Sequence, residues 1–198
     1  MGLAFYYSGK IKDAKLLAPL VNEVIEFSKA NNYPYQADIF GQTFPQGELS
    51  EYCGDQELYG IEFGPEKCEP IFLTFTRDGR LCSPIQFMIN GTPEDDYFHT
   101  IATKTQYAGA EAHILVIDFL RYLSKKYFSE FELHDDGEYW ETQDKKLLKA
   151  AFDRFTRATD SFAAMLEMIP KEKGESIEEF IVRMAEGTKE KLDSDAPD

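Results

Sequence analysis

Cysteine is scarce in this chain: Cys53, Cys68 and Cys82 make an odd number, at no spacing that suits a metal site. A disulfide framework is therefore not expected, and reduced thiols in a cytoplasmic protein are the economical reading. Basic residues are outnumbered, 21 Lys and Arg against 36 Asp and Glu, for a formal net charge of −15. Nucleic-acid binding rests on cations that neutralise phosphates, and docking on an anionic membrane needs the same cations, so neither partner is expected. Long apolar runs are missing too, and nothing approaches the length that spans a bilayer. The opening MGLAFYYSGKIKD lacks the basic start and apolar centre of a secretory signal, and Tyr6 stands where a myristoylation signal needs Ser or Thr.

The common catalytic and cofactor motifs are also absent. There is no G-x-G-x-x-G, H-E-x-x-H, G-x-S-x-G or paired C-x-x-C, and no cofactor is expected. Gly9-Lys10 follows Gly2 at the wrong spacing for a phosphate loop, and Ile11 replaces its hydroxyl residue.

What the chain does have is apolar material, 43% hydrophobic and 14% aromatic, which is enough for a packed core. Leu3, Phe5 and Tyr7 alternate with Ala4, Tyr6 and Ser8, the pattern of a half-buried strand. Asp13 can cap a following helix, where Leu16, Leu17, Leu20, Val21, Val24 and Ile25 recur at helical spacing. Pro19 either kinks that helix or marks where its regular part starts, and Asn31, Asn32 and Pro34 end it.

Residues 42–55 read as an exposed loop. Strands are expected at 58–63, 70–76 and 84–89, the last two paired across Asp78-Gly79, with a further strand at 99–107. The helix expected at 110–128 is apolar nearly all round its first turns, from Ile114 to Leu120, and should lie across the sheet. A hairpin then turns at Asp136-Gly137 and returns at 139–142.

From Asp144 the pattern changes. Leu148, Phe152, Phe155, Thr159, Phe162, Leu166 and Ile169 follow a 4-3 spacing, a heptad seam with one polar break. Pro170 and Gly174 stop it, and Ser176 with Glu179 is a capping-box signature for a last helix carrying Ile177, Phe180, Ile181 and Met184. The expected architecture is a two-layer α+β sandwich, a mainly antiparallel sheet with covering helices, over 1–143. A C-terminal helical hairpin follows over 144–192, and 193–198 is expected to be a disordered tail.

Two clusters carry the polar chemistry. His134, Asp135, Asp136, Glu138 and Glu141 are metal-ligand types gathered on one expected hairpin. The plainer interpretation of Asp-Asp-Gly-Glu is a solvated turn chosen for its backbone conformation. Lys104, Gln106 and His113 bracket a small-residue approach to a helix N-terminus, a setting that can hold an anion. Tyr139 and Trp140, with Tyr127 and Phe128, form a possible aromatic platform, though aromatics beside a short hairpin commonly pack on the sheet. Cys82 and His99 would be the candidates for Cys–His catalysis, through contact across neighbouring strands.

The elements KTQYAG (104–109), RYLSKKYF (121–128) and DDGEYWET (135–142), in that order, resemble those of a bacterial protein family of unknown function. The resemblance spans about 1–155. It implies a shared fold and a site, if there is one, within 104–142, and it transfers no catalytic residue. The expected function is a cytoplasmic, non-enzymatic protein-binding module that engages a protein partner or a second copy through the 148–169 seam. The alternative is a metal-dependent hydrolase or small-ligand enzyme using residues of 104–141.

Overall fold

The computed structural model describes residues 2–52, 57–90, 97–168, 174–176, 178–180 and 182–183. Cys53, the acidic 94–96 segment, Ile169, Pro170, Ile177, Ile181, Met184 and the 193–198 tail lie outside them. The chain divides into two compact units, Met1–Phe155 and Thr156–Asp198, so the first runs past the 143 boundary expected above. Its class is α+β with antiparallel sheets.

Strand β1 (Ala4–Ile11) is the centre of the first sheet, flanked by β5 (Ile101–Lys104) and β6 (Phe128–Asp135). Its alternation works as the side-chain period of two demands: Phe5 and Tyr7 are buried, while Tyr6 between them is exposed. Phe5 pairs with Thr103 on one side and Asp135 on the other, and Tyr6 pairs with Ala102 and His134. A second sheet joins β2 (Tyr35–Gln36), β3 (Tyr59–Phe63) and β4 (Ile71–Phe75).

The expected single sheet is thus two, and one hydroxyl does much to join them. Tyr7 Oη accepts the Phe72 N–H at 2.9 Å and donates to the Phe72 carbonyl at 2.9 Å. Both backbone groups of Phe72 on the free edge of β4 are thereby satisfied, as buried backbone requires. The turn at Asp78-Gly79 forms with Gly79 at φ 82°, and its far side donates Leu81 N–H to the Gly9 carbonyl at 2.9 Å.

The strand expected at 84–89 is instead helix α2 (Pro84–Asn90), and across the turn Leu81 bridges Phe75. The reason lies in Ser83-Pro84-Ile85-Gln86. Ser83 Oγ accepts the Gln86 N–H at 3.2 Å, and Pro84 occupies the first helical position, where no N–H is needed.

Asp13 caps as expected, accepting the Lys15 N–H at 2.8 Å and opening a 3-10 turn. Helix α1 (Leu17–Asn31) follows, which puts Pro19 inside the first turn, where its missing donor costs nothing. Helix α3 (Ala110–Tyr127) buries Ile114, Val116, Ile117, Leu120 and Leu123. It is not apolar all round: Leu115 is 37% exposed and shares the outer face with Asp118 and Tyr122. Phe119 stacks on Phe27 of α1 at 3.7 Å and 5°. Glu23 ties the same two helices, accepting Tyr122 Oη at 2.5 Å, Lys126 Nζ at 2.9 Å and the Tyr127 hydroxyl.

Helix α4 (Tyr139–Thr142) stands where a returning strand was expected. Asp144 then caps α5 (Lys145–Met168), accepting the Lys146 N–H at 2.8 Å. In the second unit, Ser176 and Glu179 form the expected capping box, with Ser176 N–H to Glu179 Oε2 at 2.8 Å and Glu179 N–H to Ser176 Oγ at 3.1 Å.

Candidate functional site

The stretch 104–142 converges on one buried line of polar groups. Thr105, one residue past β5, points inward because Ala102 and Lys104 occupy the outer positions of the alternation. His113 comes from the first turn of α3, and Asp135 ends β6. Thr105 Oγ1 lies 2.7 Å from His113 Nδ1, and His113 Nε2 lies 3.0 Å from Asp135 Oδ2. A carboxylate can only accept, so Nε2 carries a proton and the carboxylate sets the orientation of the ring.

Asp135 does more than hold the imidazole. Its carboxylate also accepts the N–H groups of Gly137 (2.8 Å), Tyr139 (2.9 Å) and Trp140 (3.1 Å). With Glu138 left-handed at φ 58°, those bonds coil the chain into α4 and prevent its return along β6. Burial by itself would raise the Asp135 carboxyl. The hydrogen bond and charge of His113, with the Gly137 and Trp140 N–H groups, outweigh it and hold the carboxyl below the ordinary carboxylate range.

This hydroxyl–imidazole–carboxylate line has the composition of a hydrolase relay, but it is sealed. All three residues are buried, and the edges of Phe5 and Phe152 close on the imidazole at 6.0 and 5.7 Å. Leu148 of α5 comes so near Gly137 that a Cβ there would lie 2.4 Å from Leu148 Cδ1. A hydroxyl shut in this way meets no substrate. The line works as a staple joining β5, α3, β6 and α4.

The other expected site residues are scattered. Lys104 is on the opposite side of β5 from the staple, 3.7 Å from Glu69, and its own N–H bonds that carboxylate at 2.9 Å. Gln106 is half-buried, and it does not join Lys104 and His113 in an anion site. Of the metal-ligand set, Asp135 faces inward and the rest face out. His134 has a side chain 75% exposed and 3.7 Å from Glu141, Asp136 accepts the Ala4 N–H at 3.2 Å, and Glu138 is exposed. No three His, Cys, Asp or Glu among the described residues gather as a metal site would need.

The aromatic platform is packing. Tyr139 is buried with its hydroxyl 3.2 Å from Asp118, and Trp140 lies under the Arg121 guanidinium at 4.4 Å. Arg121 also donates to the Trp140 carbonyl at 2.6 Å, which closes the end of α4. Cys82 is no nucleophile: burial, then the nearby Asp78, push its thiol up to about 12. His99 Nδ1 is engaged by the Leu81 carbonyl at 2.9 Å.

Thr105, Asp118 and Arg121 were not singled out from the sequence. For Thr105 the signal was the alternation with Lys104. For the other two there was none, because their partners lie across the fold.

Comparison with family models, with curated proteins and with solved structures finds no match to this chain. Among the described residues no helix is long and apolar enough to cross a membrane.

Proposed function

We propose that the protein is a binding module with no chemistry of its own, and that it pairs with a second copy through the part of α5 beyond Phe155. One observation carries this reading. The 4-3 seam of α5 starts on buried residues, Leu148 and Phe152, and continues to Phe162, which is 55% exposed. An apolar stripe that outruns its own cover is what a coiled-coil partner would occupy.

Light scattering and sedimentation on the full chain at high micromolar concentration test this. The expected result is a concentration-dependent dimer, returned to monomer by Phe162→Glu with no change in melting temperature. A strict monomer, or a dimer indifferent to Phe162→Glu, would overturn the reading. The enzymatic alternative has no comparable support, since its candidate residues divide between a sealed interior and an open surface.

A further inference from the structure

The outer face of the β5-β1-β6 sheet carries a trough that belongs neither to the buried staple nor to α5. Two adjoining depressions, of about 270 and 240 Å3, share Ser8 and Glu132 and run along β1. At one end Tyr6 and His134 are cross-strand partners with rings stacked at 6.4 Å and 26°. In the middle Ser8 faces Glu132, with Thr100 beside them. At the other end Lys10 and Arg80 are neighbours on adjacent backbone, with Glu130 opposite Lys10 and His99 on the wall. Tyr6, Ser8 and Lys10 are alternate residues on one strand face, so the backbone positions that carry the ring and the lysine lie about 13 Å apart.

The order along β1 is therefore aromatic, then hydroxyl and carboxylate, then cationic. Lys10 and Arg80 side by side repel each other, with Asp78 3.5 Å from Arg80 Nε and Glu130 across from Lys10. An anion held between the two cations would offset that repulsion.

We infer that this trough binds a ribonucleoside 5′-monophosphate. The base lies on the Tyr6–His134 shelf, the ribose hydroxyls bond Glu132 and Ser8, and the phosphate sits at Lys10 and Arg80. The backbone span from Tyr6 to Lys10 is the reach of one nucleotide, and the acidic chain opposes a longer nucleic acid. Bare phosphate would meet the Glu130 and Glu132 carboxylates without the compensation of stacking. A nucleoside would stack without its anchor.

The test titrates the full chain with adenosine 5′-monophosphate, adenosine and inorganic phosphate, each to millimolar concentration, and follows backbone amide shifts. The monophosphate is expected to perturb residues 6–10 and 130–134 and to bind about tenfold more tightly than either fragment. Arg80→Gln should reduce monophosphate binding to the level of adenosine and leave adenosine unchanged, whereas Tyr6→Ala should weaken both. Both positions are exposed, so melting temperature checks that the variants fold. No shift with the monophosphate, an unaltered response in Arg80→Gln, or phosphate binding as well as the nucleotide would each overturn the assignment.

Discussion

His134 and Asp135 are consecutive residues of β6 with opposite surroundings. One has a side chain 75% exposed, and the other is a residue only 1% exposed that holds four hydrogen-bond donors. The same contrast runs through the whole β5-β1-β6 sheet. Its inner face tolerates polar groups such as Thr105 and Asp135 because each is paired in full. Its outer face carries Lys10, Glu130 and Glu132 with no such requirement. Polar chemistry inside this fold is architectural, and polar chemistry outside it is available.

The sharpest way to break that contrast is to cut each face at neighbouring residues. Asp135→Ala strands three N–H groups and an imidazole in the interior and should cost about 4 kcal/mol in urea denaturation. His134→Ala beside it should cost less than about 0.5 kcal/mol. Similar losses from the two would end the distinction.

A second pair tests α3, where Leu120 is buried and Leu115 faces out. Leu120→Ala should lose about 3 kcal/mol and Leu115→Ala less than about 1 kcal/mol, read from the same denaturation midpoints.

Tyr7 and Tyr6 make a third pair. Tyr7→Phe removes the one hydroxyl that satisfies both Phe72 backbone groups and should cost about 2 kcal/mol, while Tyr6→Phe should be close to silent.

Acid should produce the most gradual change. Asp135 and Glu23 are both held below the ordinary carboxylate range in the fold. For Glu23, burial pulls upward and the Tyr122, Tyr127 and Lys126 hydrogen bonds outweigh it. A lowered carboxyl contributes stability at neutral pH that is lost as pH falls through its folded value. His99, pushed down by burial, starts to oppose folding once pH drops below the ordinary imidazole value. Each of these three groups should therefore lower the melting temperature as pH falls from 7, while Glu62, whose carboxyl burial pushes up, acts the other way; a melting temperature higher at acid pH than at pH 7 would contradict the assigned directions.

Local chemistry explains what could be read in advance and what could not. The Asp13 cap, the 110–127 helix, the Asp78-Gly79 turn and the Ser176–Glu179 capping box were legible because each signal and its partner lie within a few residues. The 84–89 error ignored a signal of that kind, since Ser83-Pro84 with Gln86 announces a helix start more strongly than Ile and Phe announce a strand. The 139–142 error was different: Asp136-Gly137 is a sound hairpin turn in isolation. Asp135, oriented by His113 from another helix, captured the N–H groups that a returning strand would have spent on β6.

By itself the sequence determined the class of fold, the acidic character and the periodic faces of α1, α3 and α5, because periodicity and composition act over a few turns of chain. Only tertiary structure decided that Asp135 leaves its acidic neighbours for the interior, that Tyr7 closes an edge of the second sheet, and that Tyr6, Lys10, Arg80 and His134 line one trough. Those outcomes depend on which strands lie side by side, and strand adjacency is set by packing between segments far apart along the chain.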